Sequence, residues 1–172
     1  MSVSSSIARL DLREFDIRTA SDYSADGAVV VGVSNRSGSP VAVAWAWDLA
    51  QRLNVPLVAV RAYRRPGAAS SAFMGTRSLL KRTPQRIAEE TNAALIKHVV
   101  ESIGDEAGHK VVYRVVEGDR RQVLVDSSRN AALLVIDSPP QRRVSADPSF
   151  RQSLLLSAKC PVVSMPPRVA GY

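Results

Sequence analysis

Five short apolar runs recur along this chain, and segments with helical spacing separate them. The first and fourth runs are apolar on both faces, which is what a central parallel strand covered by helices on both sides requires. The order β-α-β-α-β-α-β-α-β predicts an α/β fold, a three-layer, doubly wound, five-stranded parallel sheet with right-handed crossovers. The runs are Ala28–Val33, Leu57–Val60, Val111–Val116, Ala132–Ile136 and Pro161–Met165.

Capping signals mark the helices between the runs. Ser39 is placed to cap a first helix that has Pro40 at its first position, and Asn54 fits a left-handed stop. Thr83 and Pro84 open a second helix, which we expect to continue to about residue 103. The other two predicted helices are a short one after Asp119, through Val123, Leu124 and Val125, and one from Asp147-Pro148-Ser149 through Leu154, Leu155 and Leu156.

A ligand of such a sheet binds outside the carboxyl ends of the strands, where the strand order reverses. We expect the first and fourth strands to flank that point. Loops 34–38 and 137–147 would then line any ligand site.

Composition excludes several classes of protein. One cysteine in 172 residues is incompatible with a disulfide framework or a Cys-rich zinc module, and two histidines argue against a His-based metal site. No apolar run approaches the roughly 18 residues that a membrane helix needs, and charged residues interrupt the N-terminus where a signal peptide would be apolar. We therefore expect a soluble, cytoplasmic protein with no membrane association. Its domains would be an N-terminal extension at 1–26, of unassigned role, and one domain at 27–168.

The net charge of +7 is concentrated in one segment. Between Leu49 and Ala88 there are eight basic residues and no acidic one, and the rest of the chain is nearly balanced. This segment has three interpretations: a solvated loop, a surface for an acidic or phosphate-bearing partner, or a surface for nucleic acid. Among partners we consider an acidic protein, because no nucleic-acid motif accompanies the charge. The candidate partner surface consists of Arg64, Arg65, Arg77, Lys81, Arg82 and Arg86.

Five segments in sequence order resemble those of one known family. They are Val30–Ser34, Trp45–Asn54, Glu117–Asp119, Ala131–Ser138 and Cys160–Val163. Together they resemble the universal stress protein family over most of the chain outside the first 26 residues. The resemblance implies an adenine nucleotide alpha hydrolase-like fold with strand order 3-2-1-4-5. It also implies a homodimer through the fifth strand, where Val162, Val163 and Met165 would lie at the interface.

One branch of this family binds ATP through a glycine motif after strand four, and this chain departs from that motif. Asp137, Pro140 and Pro148 stand at the three glycine positions, and Ser149 keeps the serine. Proline has no N–H to offer a phosphate, and the Asp137 carboxylate would repel one. Losing about three charge-assisted hydrogen bonds at roughly 1.5 kcal/mol each costs about 4.5 kcal/mol, or more than about 10³-fold in affinity.

What is left of the family's ligand site is a degenerate pocket. Its candidate residues are Ser34, which replaces an aspartate of the family, Ala62, Asp137 and Ser149. We expect no cofactor and no metal, and no catalytic residue can be named.

The sequence therefore predicts a stress-linked regulatory or interaction module that is not an enzyme and does not bind ATP. A first alternative is an adenine-nucleotide-binding member that uses phosphate contacts outside the motif, with Arg61 or Arg64 holding the phosphate. A second is a weak ATPase of the same fold, although no carboxylate–metal arrangement is visible.

Overall fold

The computed structural model describes residues 25–35, 39–64, 83–137 and 148–166 of the chain. Strands and helices alternate there in the predicted order, with one short helix, α3, added before the third strand. The elements are β1 (Val29–Gly32), α1 (Pro40–Leu53), β2 (Leu57–Tyr63), α2 (Pro84–Ile103), α3 (Asp105–Gly108), β3 (Val112–Glu117), α4 (Arg120–Ser127), β4 (Leu133–Asp137), α5 (Pro148–Ser157) and β5 (Val162–Met165).

The five strands form one parallel sheet in the order β3-β2-β1-β4-β5, which confirms the predicted topology. Strand β1 is central, because Val29 pairs with Leu57 on one side and with Leu133 on the other. Every residue of β1 is buried, as expected for a strand with helices on both faces.

Two hydrophobic clusters lie on the two faces of the sheet. The first joins alternate strand residues, such as Val29 and Val31, to buried residues of α1 and α2. The second joins the intervening residues, such as Val30, to residues of α4 and α5. The alternation along the strands thus assigns each helix pair to one face, which completes the predicted three layers.

Gly32 lies close to Leu124 of α4. A Cβ atom at this position would lie 2.9 Å from Leu124 Cδ2, closer than real Cβ contacts allow. The glycine therefore lets Leu124, which is almost fully buried, pack directly against the end of β1.

Asn54 ends α1 as predicted, in the left-handed conformation, and its N–H contacts the carbonyls of Ala50 and Gln51. The prediction for Ser39 was only half correct. Ser39 is the residue before the helix, but it is itself left-handed (φ 53°) and its side chain makes no capping bond. Its hydroxyl instead accepts the N–H of Ser34 at 3.1 Å, so it binds the end of β1.

Two strands extend further than their apolar runs. Strand β2 was predicted to end at Val60, but its pairing with β3 continues through Arg61 to Tyr63. Arg61 is therefore a buried strand residue, and the interpretation of it as the start of a basic loop was wrong. Asp137 is the last residue of β4, paired with Met165, whereas the sequence suggested a loop. In both strands, hydrogen bonding to the neighbouring strand stabilises the extra residues, and the local sequence alone does not reveal this pairing.

The described helices include none that combines the length and the apolar character needed to cross a membrane. The proposed extension at 1–26 lies almost wholly outside the described residues, so its boundary stays a prediction.

Candidate functional site

The carboxyl ends of the strands bring together three of the four predicted pocket residues. Ser34 follows β1, Ala62 is near the end of β2, and Asp137 ends β4. Strand register places them at one edge, because Gly32 pairs with both Val60 and Ile136. The side chain of Ser149 lies outside the described residues, as does most of the loop 137–147.

Ser34 is held by the protein itself. Its N–H donates to the Ser39 hydroxyl at 3.1 Å, and its carbonyl accepts from Arg61 Nη2 at 3.2 Å. Backbone groups that a ligand would meet at the end of β1 therefore already have intramolecular partners.

Arg61 lies beneath this point with only 2% of its surface exposed. Besides Ser34, its Nη2 contacts Nδ1 of His98 on α2, and its Nε has no hydrogen-bond partner among the described residues. Burial lowers the pKa of the Arg61 guanidinium to about 10, so the side chain still carries its charge at neutral pH. Sequence reasoning missed this burial, although the alternation of Leu57, Ala59 and Arg61 places all three on the α1–α2 face of β2.

His98 lies on α2, where its Nδ1 contacts the guanidinium of Arg61. Partial burial lowers the pKa of His98, and the positive charge of Arg61 lowers it further. The ring is therefore neutral at pH 7, with Nδ1 accepting from Arg61 and the proton on Nε2.

Asp137, predicted to stand at the first glycine position of the family's ATP-binding motif, is the last residue of β4. Its side chain is 14% exposed, and Oδ1 lies 3.9 Å from Nη2 of Arg120, the first residue of α4. The Arg120 guanidinium also lies 4.8 Å from the ring centre of Phe150 on α5. A carboxylate, an arginine and an aromatic ring thus lie together at the carboxyl end of β4.

The turn after β3 is stabilised by an aspartate cap. The Asp119 carboxylate accepts from the N–H groups of Arg121 at 2.9 Å and Gln122 at 3.3 Å, and it also pairs with Arg64. Slight burial would raise the pKa of Asp119, but the hydrogen bonds from Gln122 and Arg121 and the charge of Arg64 lower it overall. Arg64, from the candidate partner surface, is therefore paired, although its side chain remains 70% exposed.

The rest of the candidate partner surface is only partly described. Arg86 lies in the first turn of α2, where its Nε is 3.3 Å from Glu90 Oε1. Both described members thus have an acidic neighbour, but exposed pairs of this kind contribute little and leave the cations accessible. Arg65, Arg77, Lys81 and Arg82 lie outside the described residues.

Strand β5 is an edge of the sheet, as the dimer prediction requires. Val162, Val163 and Met165 are half-buried, and β5 pairs only with β4 among the described residues. Within the part of the chain that the structure describes, no group of three His, Cys, Asp or Glu side chains is placed to hold a metal ion.

A model of the universal stress protein family matches residues 27–166 of the chain. Curated proteins offer no match. Solved structures do: a universal stress protein crystallised in complex with cAMP is 21% identical, with a TM-score of 0.56 over 83% of this chain and 98% of that one.

Two further structures agree with it. The universal stress protein UspA from Lactobacillus plantarum is 15% identical, with a TM-score of 0.56 over 83% of this chain and 99% of its own. A universal stress protein from Archaeoglobus fulgidus is 16% identical, with a TM-score of 0.53 over 80% of this chain and 92% of its own. At these identities the likeness shows the fold.

Proposed function

The chain belongs to the universal stress protein family, and from that premise we propose that it is a non-catalytic regulatory or interaction module in the stress response. In this proposal it is cytoplasmic and does not hold ATP in the way the family's glycine motif would.

The observation that carries the proposal is Asp137 at the carboxyl end of β4. Its carboxylate is mostly buried beside Arg120, and the resemblance to the family implies that phosphates would bind near this end of β4. Two like charges 4 Å apart repel by about 1 kcal/mol in water and by about 4 kcal/mol at the effective dielectric of a protein surface. The higher figure corresponds to roughly 10³-fold in affinity, comparable to the loss already expected from the missing glycines.

Arg120 offsets part of this repulsion, so the figure of about 4 kcal/mol is an upper bound. Its guanidinium is shared between Asp137 and the face of Phe150, so a phosphate would have to compete with Asp137 for it.

A second candidate function is binding of an adenine nucleotide through contacts outside the motif. It is favoured by the family structure solved in complex with cAMP, whose fold this chain shares. In that case the cation would come from Arg61 or Arg64, at the end of β2.

Mass spectrometry of small molecules released from freshly purified protein separates the two candidates. We expect no stoichiometric ATP, ADP, AMP or cAMP, and calorimetric titration with ATP and magnesium should not saturate below about 1 mM. Release of phosphate from ATP should equal that of a protein-free blank. A bound nucleotide at one per chain would overturn the proposal.

Two aspartate variants test the role of the Asp137 charge. Asp137→Asn should strengthen ATP binding by at least about tenfold, because it removes the repulsion without changing side-chain size. Asp126→Asn is the matched control, since Asp126 is similarly buried (18% exposed) and paired with Arg129, but lies in α4. Equal affinities in the two variants would show that Asp137 does not block the site.

The homodimer and the acidic partner belong to the same proposal. The half-buried apolar residues of the β5 edge support a homodimer, because an open edge of this kind readily pairs with another strand. The acidic protein partner remains a prediction, since four of the six candidate cations lie outside the described residues.

A further inference from the structure

Among the described residues, no acidic group pairs with the buried guanidinium of Arg61. Only 2% of its surface is exposed, and among the described residues its hydrogen-bond partners are the carbonyl of Ser34 and the ring of His98. Neither partner is negatively charged, and Nε has no partner among the described residues. Burying an ion without an opposite charge is unfavourable, so buried guanidinium groups are normally paired with acids.

Arg64, three residues further along, provides an internal comparison. Its side chain is 70% exposed and is paired with Asp119. Of the two arginines at the end of β2 that could hold an anion, Arg61 is therefore the one that has no acidic partner among the described residues.

The position of Arg61 suits a ligand. It lies in β2, next to the end of the central strand β1. This is the edge of the sheet where parallel sheets bind their ligands. Its side chain belongs to the α1–α2 face and contacts His98, so this position is separate from the pair formed by Asp137 and Arg120.

We propose that Arg61 and His98 form a binding site for a small inorganic oxyanion of the phosphate or sulfate type. A guanidinium presents Nε and Nη2 as a fork that matches two oxygens of such an ion. The ion takes the unpartnered Nε and replaces His98 on Nη2, while the ring of His98 turns to donate its N–H. Because Arg61 is almost fully buried, we expect a small tetrahedral ion to reach it more readily than a nucleotide.

This inference does not depend on the proposed function. That proposal concerns ATP at the end of β4, whereas this one concerns a small ion beside α2. Sulfate binding without ATP binding supports both. ATP binding that persists in Arg61→Met would overturn the first and leave the second standing, whereas ATP binding that is lost in Arg61→Met would overturn both.

Calorimetric titration with sodium sulfate, at ionic strength held constant with sodium chloride, tests the site. We expect one sulfate per native chain with saturation, unchanged binding in Arg64→Met, and at least tenfold weaker binding in Arg61→Met. Both variants remove one positive charge, at positions three residues apart. A general attraction of anions to a basic protein would therefore weaken sulfate binding equally in both. Absence of saturation in the native chain, or equal binding in both variants, would overturn the proposal.

A second measurement needs no variant to fold. In protein labelled with ¹⁵N-arginine, the Nε–H resonance of Arg61 should shift with sulfate along a saturating curve, while that of Arg64 stays in place. If the Arg61 resonance does not move at sulfate concentrations that saturate the calorimetric signal, the ion binds elsewhere and the proposal is wrong.

Discussion

At the scale of single residues, the contact between Arg61 and His98 makes stability depend on pH. The folded protein holds His98 beside a permanent cation in a partly buried position, and both effects oppose its protonation. Lys97 opposes it as well and Glu101 favours it, so the charged neighbours on α2 partly offset each other. In the unfolded chain the ring is free of these influences and takes up a proton near pH 6.5.

We therefore expect the protein to become less stable as the pH falls below about 6.5. The folded-state pKa of His98 is lowered, so the unfolded state binds the proton first and gains free energy from it. The loss should level off once the pH is below the folded-state pKa as well. Urea unfolding curves between pH 8 and pH 5 would measure it.

His98→Gln should remove most of this pH dependence, because glutamine can accept from Arg61 and cannot titrate. His109→Gln is the control, since His109 is an exposed histidine that contacts the backbone of Asp105. If the two variants keep the same slope of stability against pH, the Arg61 contact is not the cause.

At the scale of the elements, sequence patterns predict the order of strands and helices, but they do not predict where each strand ends or which side chains pair across elements. The alternation of strands and helices, the stop at Asn54 and the cap at Thr83 follow from local chemistry and were predictable. The extension of β2 through Tyr63 was not, because it depends on pairing with β3, about fifty residues later in the chain. For the same reason the pairing of Arg120 with Asp137 could not be read from either segment alone.

The contact between β1 and α4 depends on Gly32. Gly32→Ala would place a methyl group 2.9 Å from Leu124 Cδ2, and overpacking of this kind typically costs about 1–3 kcal/mol. We expect denaturant unfolding to show a loss in that range.

The loss of stability that Gly32→Ala causes should be smaller when it is made in a Leu124→Ala background, because the shorter side chain leaves room for the added methyl group. Additive effects of the two substitutions would show that the two residues do not interact, which would contradict the packing of Leu124 against Gly32.

At the scale of the whole molecule, the sheet has two edges of different character. Strand β3 carries charged side chains, including Arg114 and Glu117, whereas β5 carries Val162, Val163 and Met165. Charges on an edge strand discourage pairing with another chain, so β5 is the edge suited to a partner.

We expect the native chain to be a dimer in light scattering at micromolar concentration and Ser164→Lys to shift it toward the monomer. Ser164 is exposed on β5, and two-fold pairing of β5 with its copy would bring two lysines together. Val112→Lys, on the exposed β3 edge, is the matched control and should remain a dimer. A native monomer, or equal dissociation of both variants, would contradict the dimer through β5.

The pairing of Val29 with Leu133 also bears on how the protein forms during synthesis. The central strand is among the first described parts of the chain to leave the ribosome, but its neighbour β4 follows more than a hundred residues later. Until then β1 can pair only with β2, and one of its edges lacks a partner. A nascent chain that has not yet reached β4 therefore exposes one edge of a strand that is fully buried in the folded domain, and a chaperone could protect it during that interval.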